Sequence, residues 1–330
     1  MALLLAADDS AMCTAQDFIE RLPLPAAAVA NSIAFSTGGS AVDADGGLWS
    51  AQWDVGFDGP LIGMPRCSPL DKRPDQPFAS RHMQSTRRIL AIGGGGFLME
   101  DAPSPIDRFI VALAGKPRPR VCYVGTPNGD MPEAIDKFYA AYPASVCEPS
   151  HLAFFRQPAA GSLPLAGYRE HLLKQDVVFV AGGNTKSALG VWREWGLDRV
   201  FAEAHDAGLL LCGVSAGAMC WFEAGLTDSF RGAGHQPLRC LGLLPGACGV
   251  HYHAEPMRKE KLFAAVDSGA LPAAIAIDDD AAVLYEDGVL SKVMAWRPGA
   301  TAFAVSVQDG KVHERALVAE AIALDHHDPC

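Results

Sequence analysis

Residues 209–225 read LLLCGVSAGAMCWFEAG. Leu209 to Cys212 form a short, continuous apolar run, and Gly213-Val214-Ser215-Ala216-Gly217 follows at once. A run apolar at every position, not at every second one, marks a strand buried on both faces, as in a parallel sheet. A helix-like segment comes next. A serine fenced by glycines between strand and helix has two readings. It is a nucleophile held on a sharp turn, or it is a tight connection that needed small residues. Glycine makes up 33 of 330 residues, so G-x-S-x-G alone can arise by chance, and the context must carry it.

Outward from this stretch the same unit recurs. RILAI, residues 88–92, runs into Gly93 to Gly96. IDRFIVALAG, residues 106–115, reads as a helix closed by Gly115. RVCYVG is the next strand. Asp130 and Glu133 have capping-box spacing, and Ile135, Phe138, Tyr139 and Tyr142 share one helical face. DVVFVAGG, residues 176–183, is another apolar strand, with Asn184 as the N-cap of the helix beyond. After residue 270 the pattern changes: AAVLYEDGVLSKVMAW and TAFAVSVQDGKVHERAL hold Asp-Gly turns between β-like runs. The expected fold is α/β, a mostly parallel sheet with helices on both faces and antiparallel hairpins near the C-terminus. Residues 1–82, rich in Ala, Gly, Pro and Asp, read as a weakly structured extension. Met83 offers an alternative start, and residues 83–330 form the α/β domain.

Composition narrows the function. The chain is 49% hydrophobic and 20% charged, with a net charge of −11. An acidic chain without a basic cluster disfavours nucleic acid. No apolar run reaches the ~18 residues of a membrane span, and MALLLAADDS lacks the positive region of a signal peptide. The nine cysteines form no C-x-x-C pair. That spacing points to a reducing, cytoplasmic setting rather than to disulfides or zinc.

A serine nucleophile needs a base. His251 and His253, in LGLLPGACGVHYHAEP, follow an apolar stretch at another strand end. An acid to orient the imidazole is either Asp228, in GLTDSF, or Asp279, in IDDDAA. The N–H of Ala216 and that of Gly183 in AGGNT are candidate oxyanion donors. GGGGF at residues 93–97 lacks the lysine of a phosphate loop. No metal or organic cofactor is expected.

GVSAGAMCWFE, AGGNT, RRILAIGGGGF, YVGTPNGD and LGLLPG…VHY…EP, taken together, resemble the peptidase E family of serine peptidases. That family includes aspartyl dipeptidase and is related to cyanophycinase. The resemblance runs from about residue 86 to the C-terminus. It implies a flavodoxin-like fold similar to class I glutamine amidotransferases, with Ser215 as nucleophile, His251 as base, and Gly183 with Ala216 at the oxyanion. For the acid it implies either Asp228 or a later glutamate's position near Asp279, where this chain carries a side chain one methylene shorter. Dipeptidase-type members cut after an N-terminal aspartate, so Arg258 and Asn184 are candidate substrate contacts. The expected protein is a serine peptidase of short peptides, monomeric or homodimeric. Two other readings stand beside it: an α/β-hydrolase esterase using His313 or His326, and a non-catalytic amidotransferase-like binding domain.

Overall fold

A computed structural model describes residues 39–42, 48–51, 68–69, 86–100, 104–155, 165–230 and 232–322. The chain divides into two units, Met1–Ser80 and Arg81–Cys330. In the first, β1 (Gly39–Val42), β2 (Leu48–Ala51) and β3 (Ser68–Pro69) form an antiparallel sheet in that order. The rest of the expected extension, and Met83, lie outside the described residues.

The second unit contains β4 (Arg88–Ile92), β5 (Arg120–Val124), β6 (Glu148–Leu152), β7 (Val177–Val180) and β8 (Leu210–Val214). These five run parallel, in the order β6-β5-β7-β8-β4. From β5 to β8 this is the flavodoxin order, with β4 added beyond β8. The sheet continues past β4 through antiparallel β13 (Ala281–Glu286) and β14 (Val289–Ala295) to β17 (Glu320–Ala321). A second, mixed sheet holds β9 (Phe222–Thr227), β10 (Gln236–Arg239), β11 (Leu244–Gly249), β12 (Ala274–Ile277), β15 (Ala302–Gln308) and β16 (Lys311–Ala316). Its β9, β11 and β12 pair in parallel. The expected hairpins are β13–β14 and β15–β16, turning at Asp287-Gly288 and Asp309-Gly310.

Alternate residues of each central strand enter opposite cores, because side chains alternate across a strand. Leu90, Ile92, Tyr123, Phe179 and Cys212 pack under α1 (Pro105–Leu113) and α2 (Pro132–Ala141). Ile89, Ala91, Val178, Val180 and Leu211 pack toward α4 (Thr185–Trp195) and α5 (Leu197–Asp206), which follow the short α3 (Tyr168–Leu172). On this second side Trp192, Phe201 and Trp221 meet edge to face at 5.2 Å. Truncating Trp192 to Ala would destabilise the domain by about 3–5 kcal/mol. The second sheet is covered by α7 (Pro256–Asp267) through Leu262 and Val266.

Local signals mostly hold, with one correction. Asn184 does cap α4, accepting from the N–H of Ser187 at 2.8 Å. Asp130 does not cap α2. Pro132 opens that helix, and Asp130, at φ 55°, accepts the N–H groups of Phe154 and Phe155 at 2.5 and 2.7 Å. Two amide donors across the sheet edge outcompete one helical N–H. A capping box does form at Ser104–Asp107, which the sequence reading passed over. Burial pushes the Asp107 carboxyl up to about 6 despite bonds from the Ser104 N–H and the Tyr142 hydroxyl. The six cysteines among the described residues are free thiols. No helix among them is long and apolar enough to cross a membrane.

Candidate active site

The chain leaves β5 outward to β6 and then crosses back to β7, so the carboxyl ends of β5 and β7 diverge into a crevice. Such switch points are where open α/β sheets place ligands. Four loops meet there, those following β4, β5, β7 and β8, and each carries glycine.

Ser215 ends β8 and precedes α6 (Ala216–Met219). Its N–H donates to the carbonyl of Ile92 at 2.9 Å, continuing the β4–β8 ladder one step. The backbone then turns hard, at φ 56° and ψ −112°. A non-glycine residue held there stores about 1–3 kcal/mol and persists only where its surroundings enforce it. The flanking glycines supply that enforcement. A Cβ on Gly213 would lie 2.5 Å from the Gly217 carbonyl oxygen, and one on Gly217 would lie 2.2 Å from that of Val180. Helix start and strand ends therefore pack too closely for any side chain at either fence.

His251 follows β11 and sits at φ 52°. Its Nε2 is 2.8 Å from Ser215 Oγ, and its Nδ1 is 2.5 Å from Asp279 Oδ1. With Nδ1–H donating to the carboxylate, Nε2 is left to accept the serine proton. The acid's shorter side chain reaches because its backbone is brought close. Gly94 and Asp279 form a parallel β-bridge, and the N–H of Asp280 donates to the Gly94 carbonyl at 2.9 Å. A Cβ at Gly94 would fall 2.0 Å from Asp279 Oδ1 and 2.7 Å from His251 Nδ1. Neither Gly93 nor Gly94 has a left-handed φ. Their glycine identity reflects clearance, not a turn.

The other expected residues separate. Asp228 directly follows β9, its side chain 65% exposed and 3.8 Å from the Arg258 guanidinium, and it is not the carboxylate that meets His251. Arg258 is buried and also faces Glu255 at 3.3 Å. His313 is on β16 at the edge of the second sheet, and His326 lies outside the described residues. Gly183, at φ +135°, crowds the Pro127 carbonyl so closely that a Cβ would stand 2.2 Å from its oxygen. Gly182 packs beside Ser215, where a Cβ would lie 3.3 Å from the serine Cβ. Among the described residues, the N–H groups of Gly183 and Ala216 have no hydrogen-bond acceptor. Asn184 is occupied, capping α4 and donating to the Ser229 carbonyl at 3.2 Å.

A cleft of about 380 Å³ opens over Ser215 and His251. Leu98, Met99, Met131 and Val214 give it apolar walls, and Asn128, Glu133 and Lys137 add polar groups. Neither Arg258 nor Asn184 lines it. Of the α2 residues in this wall, Ala134 and Lys137 were not singled out in the sequence, and Glu133 was read only as half of a capping box. Among the described residues no group of three or more His, Cys, Asp or Glu side chains could hold a metal ion. A hydroxyl, an imidazole and a carboxylate in series, beside free N–H donors, can transfer a proton and stabilise a developing oxyanion.

Comparison with known proteins bears on this arrangement. The model of peptidase family S51 matches residues 89–293. The "Uncharacterized peptidase YgaJ" of Bacillus subtilis (strain 168) is 36% identical over 232 residues, covering 70% of this chain and 97% of that one. Among solved structures, a peptidase from an acI-B1 Actinobacterium superposes with a TM-score of 0.56 at 17% identity, over 72% of this chain and 96% of that one. A putative peptidase E protein from Listeria monocytogenes EGD-e gives 0.48 at 14% identity, over 64% and 100%.

Proposed function

The chain belongs to peptidase family S51, and from that premise we propose that it is a serine peptidase acting on short peptides, with Ser215 as nucleophile. The observation that carries this reading is the unbroken chain from Ser215 Oγ through His251 to Asp279, at 2.8 and 2.5 Å. As Oγ adds to the scissile carbonyl, His251 Nε2 takes its proton. The N–H groups of Gly183 and Ala216 receive the oxyanion. Collapse breaks the C–N bond, and His251 passes its proton to the departing amine. Water then adds to the acyl-serine by the same route and releases the carboxylic acid. Asp279, rather than Asp228, is the acid in this scheme: it holds the imidazole tautomer and faces the charge that develops on the ring.

The small cleft supports dipeptide-sized substrates. If an N-terminal aspartate is preferred, Lys137 and not Arg258 is the cation that meets it, since Arg258 is held by Glu255 and Asp228. Replacing Lys137 by Met should then lower kcat/KM for Asp-X dipeptides about two- to fivefold relative to Leu-X, the worth of one exposed charge pair. The free thiols support a reducing compartment such as the cytoplasm. The decisive test is labelling by a fluorophosphonate probe. Ser215 should be modified in the native protein and protected by substrate. Well-folded protein left unlabelled would instead favour a binding domain with a vestigial pocket.

A further inference from the structure

Beside the Ser215–His251–Asp279 chain stands a second histidine–aspartate pair. His253 Nδ1 is 2.7 Å from Asp278 Oδ1. The two pairs come from the same two loops, the one after β11 and the one after β12, and both use the Nδ1 edge of the ring. They differ in what lies behind them. His251 offers Nε2 to Ser215, whereas the His253 side chain is 48% exposed and does not line the cleft. Asp278, in contrast, is nearly buried and anchored: its Oδ2 accepts the Thr301 N–H at 3.2 Å, and its own N–H donates to the Thr301 carbonyl at 3.0 Å. The His253 ring packs against Tyr252 and edge-on against Phe303 of β15, with centroids 4.7 and 4.9 Å away. Between the two histidines, the Tyr252 N–H donates to the Ile277 carbonyl at 3.2 Å.

We infer that His253 and Asp278 are positioning residues that fasten the His251 loop to the Asp279 loop. The inference rests on the reading of His251 as base and Asp279 as its acid. Its physical ground is that both partners of the working pair ride on loops, one of them at an unfavourable φ of 52°. A strained backbone relaxes unless something opposes it. The backbone bridge at Gly94 fixes Asp279 from the β4 side. On the second-sheet side, the His253–Asp278 bond ties the His251 loop to an aspartate anchored to Thr301, just before β15. Without it the 2.5 Å contact is free to lengthen, and misplacement on the ångström scale can slow a reaction by as much as about 100-fold.

The test uses the full chain with His253→Ala, Asp278→Ala and the conservative His253→Asn, whose amide N–H can replace Nδ1–H. His253→Ala and Asp278→Ala should lower kcat about tenfold with KM within about twofold, and His253→Asn should recover most of the loss. Proton NMR supplies a readout independent of turnover. The far-downfield proton of the short His251–Asp279 hydrogen bond should broaden or vanish in His253→Ala, and should persist in His253→Asn and in Ser215→Ala. A His253→Ala protein with parental kcat and the resonance intact overturns the proposal. So does a rate loss matched by an equal loss of folded protein in circular dichroism and thermal melting, because that is unfolding and not misplacement. Failure of Ser215 to label in the parent overturns the peptidase mechanism instead, while the NMR comparison still decides whether the two loops are fastened as described.

Discussion

The two ends of one parallel sheet are built from different materials. At the amino ends of its strands, charge does the joining. Asp176, before β7, accepts from Lys116 at 2.6 Å and from Arg120 at 3.2 Å, and Arg87 bridges Asp206 and Asp287. At the carboxyl ends there is glycine and strain. Six non-glycine residues have positive φ among the described residues: Asp130, Ser215, His251, Asp280, Asp287 and Asp309. Two of these serve Asp-Gly hairpins. Of the other four, Asp130 and Ser215 lie in the loops that follow β5 and β8 of this sheet, and His251 and Asp280 in those that follow β11 and β12 of the second sheet. β5 and β8 thus tolerate costly backbone at one end because ordinary packing and pairing hold the other. Strain concentrates where groups must be aimed.

Substitutions can break or sharpen that contrast. Ser215→Ala should give the largest effect, lowering kcat by on the order of 10⁶-fold while leaving the melting temperature near that of the parent. Asp279→Asn comes next, with kcat reduced by about 10³- to 10⁴-fold, because an amide favours the wrong imidazole tautomer. Asp228→Asn, measured beside it, should retain parental kcat. Gly94→Ala follows. The added carbon has no room beside Asp279 and His251, and steady-state kinetics should register a loss of about 10²-fold. Asp176→Ala belongs to the opposite end and should leave kcat untouched. Denaturant titration should instead find about 1–2 kcal/mol less stability. Burial alone would raise the Asp176 carboxyl, but bonds from Arg120 and Lys116 outweigh it and hold the group below its ordinary value. The stabilisation is therefore complete above the unfolded-state value of about 3.9 and is lost as pH falls through the lower folded value. The difference between parent and variant should close under acid.

How far these features could be read from sequence depends on their range. The parallel core was legible because each strand states its own burial, as RILAI and DVVFVAGG do. Ser215 was legible because its turn, its fences and its helix are contiguous. His251 was favoured over His253 partly by its position at the strand end, but only the family resemblance decided between them. The acid was not legible. Asp228 and Asp279 both end strands, and the choice turns on the bridge to Gly94, a contact between segments remote in sequence. Asp130 misled for a related reason: its spacing to Glu133 fits a cap, but the chain offered it better donors at residues 154 and 155. The cleft wall from α2 was hidden because residues facing a substrate and residues facing water share one periodicity.

One dimension of the site is divided between two loops. The acid is short, and the glycine opposite it has no side chain at all. Lengthening Asp279 to Glu would add a methylene where the Gly94 backbone already stands, so a change that looks conservative on paper would be an intrusion here. Neither loop can be re-dimensioned alone. Any engineered variant that borrows a longer acid must also withdraw the β4 turn, and grafts of this motif onto other scaffolds should carry both segments together.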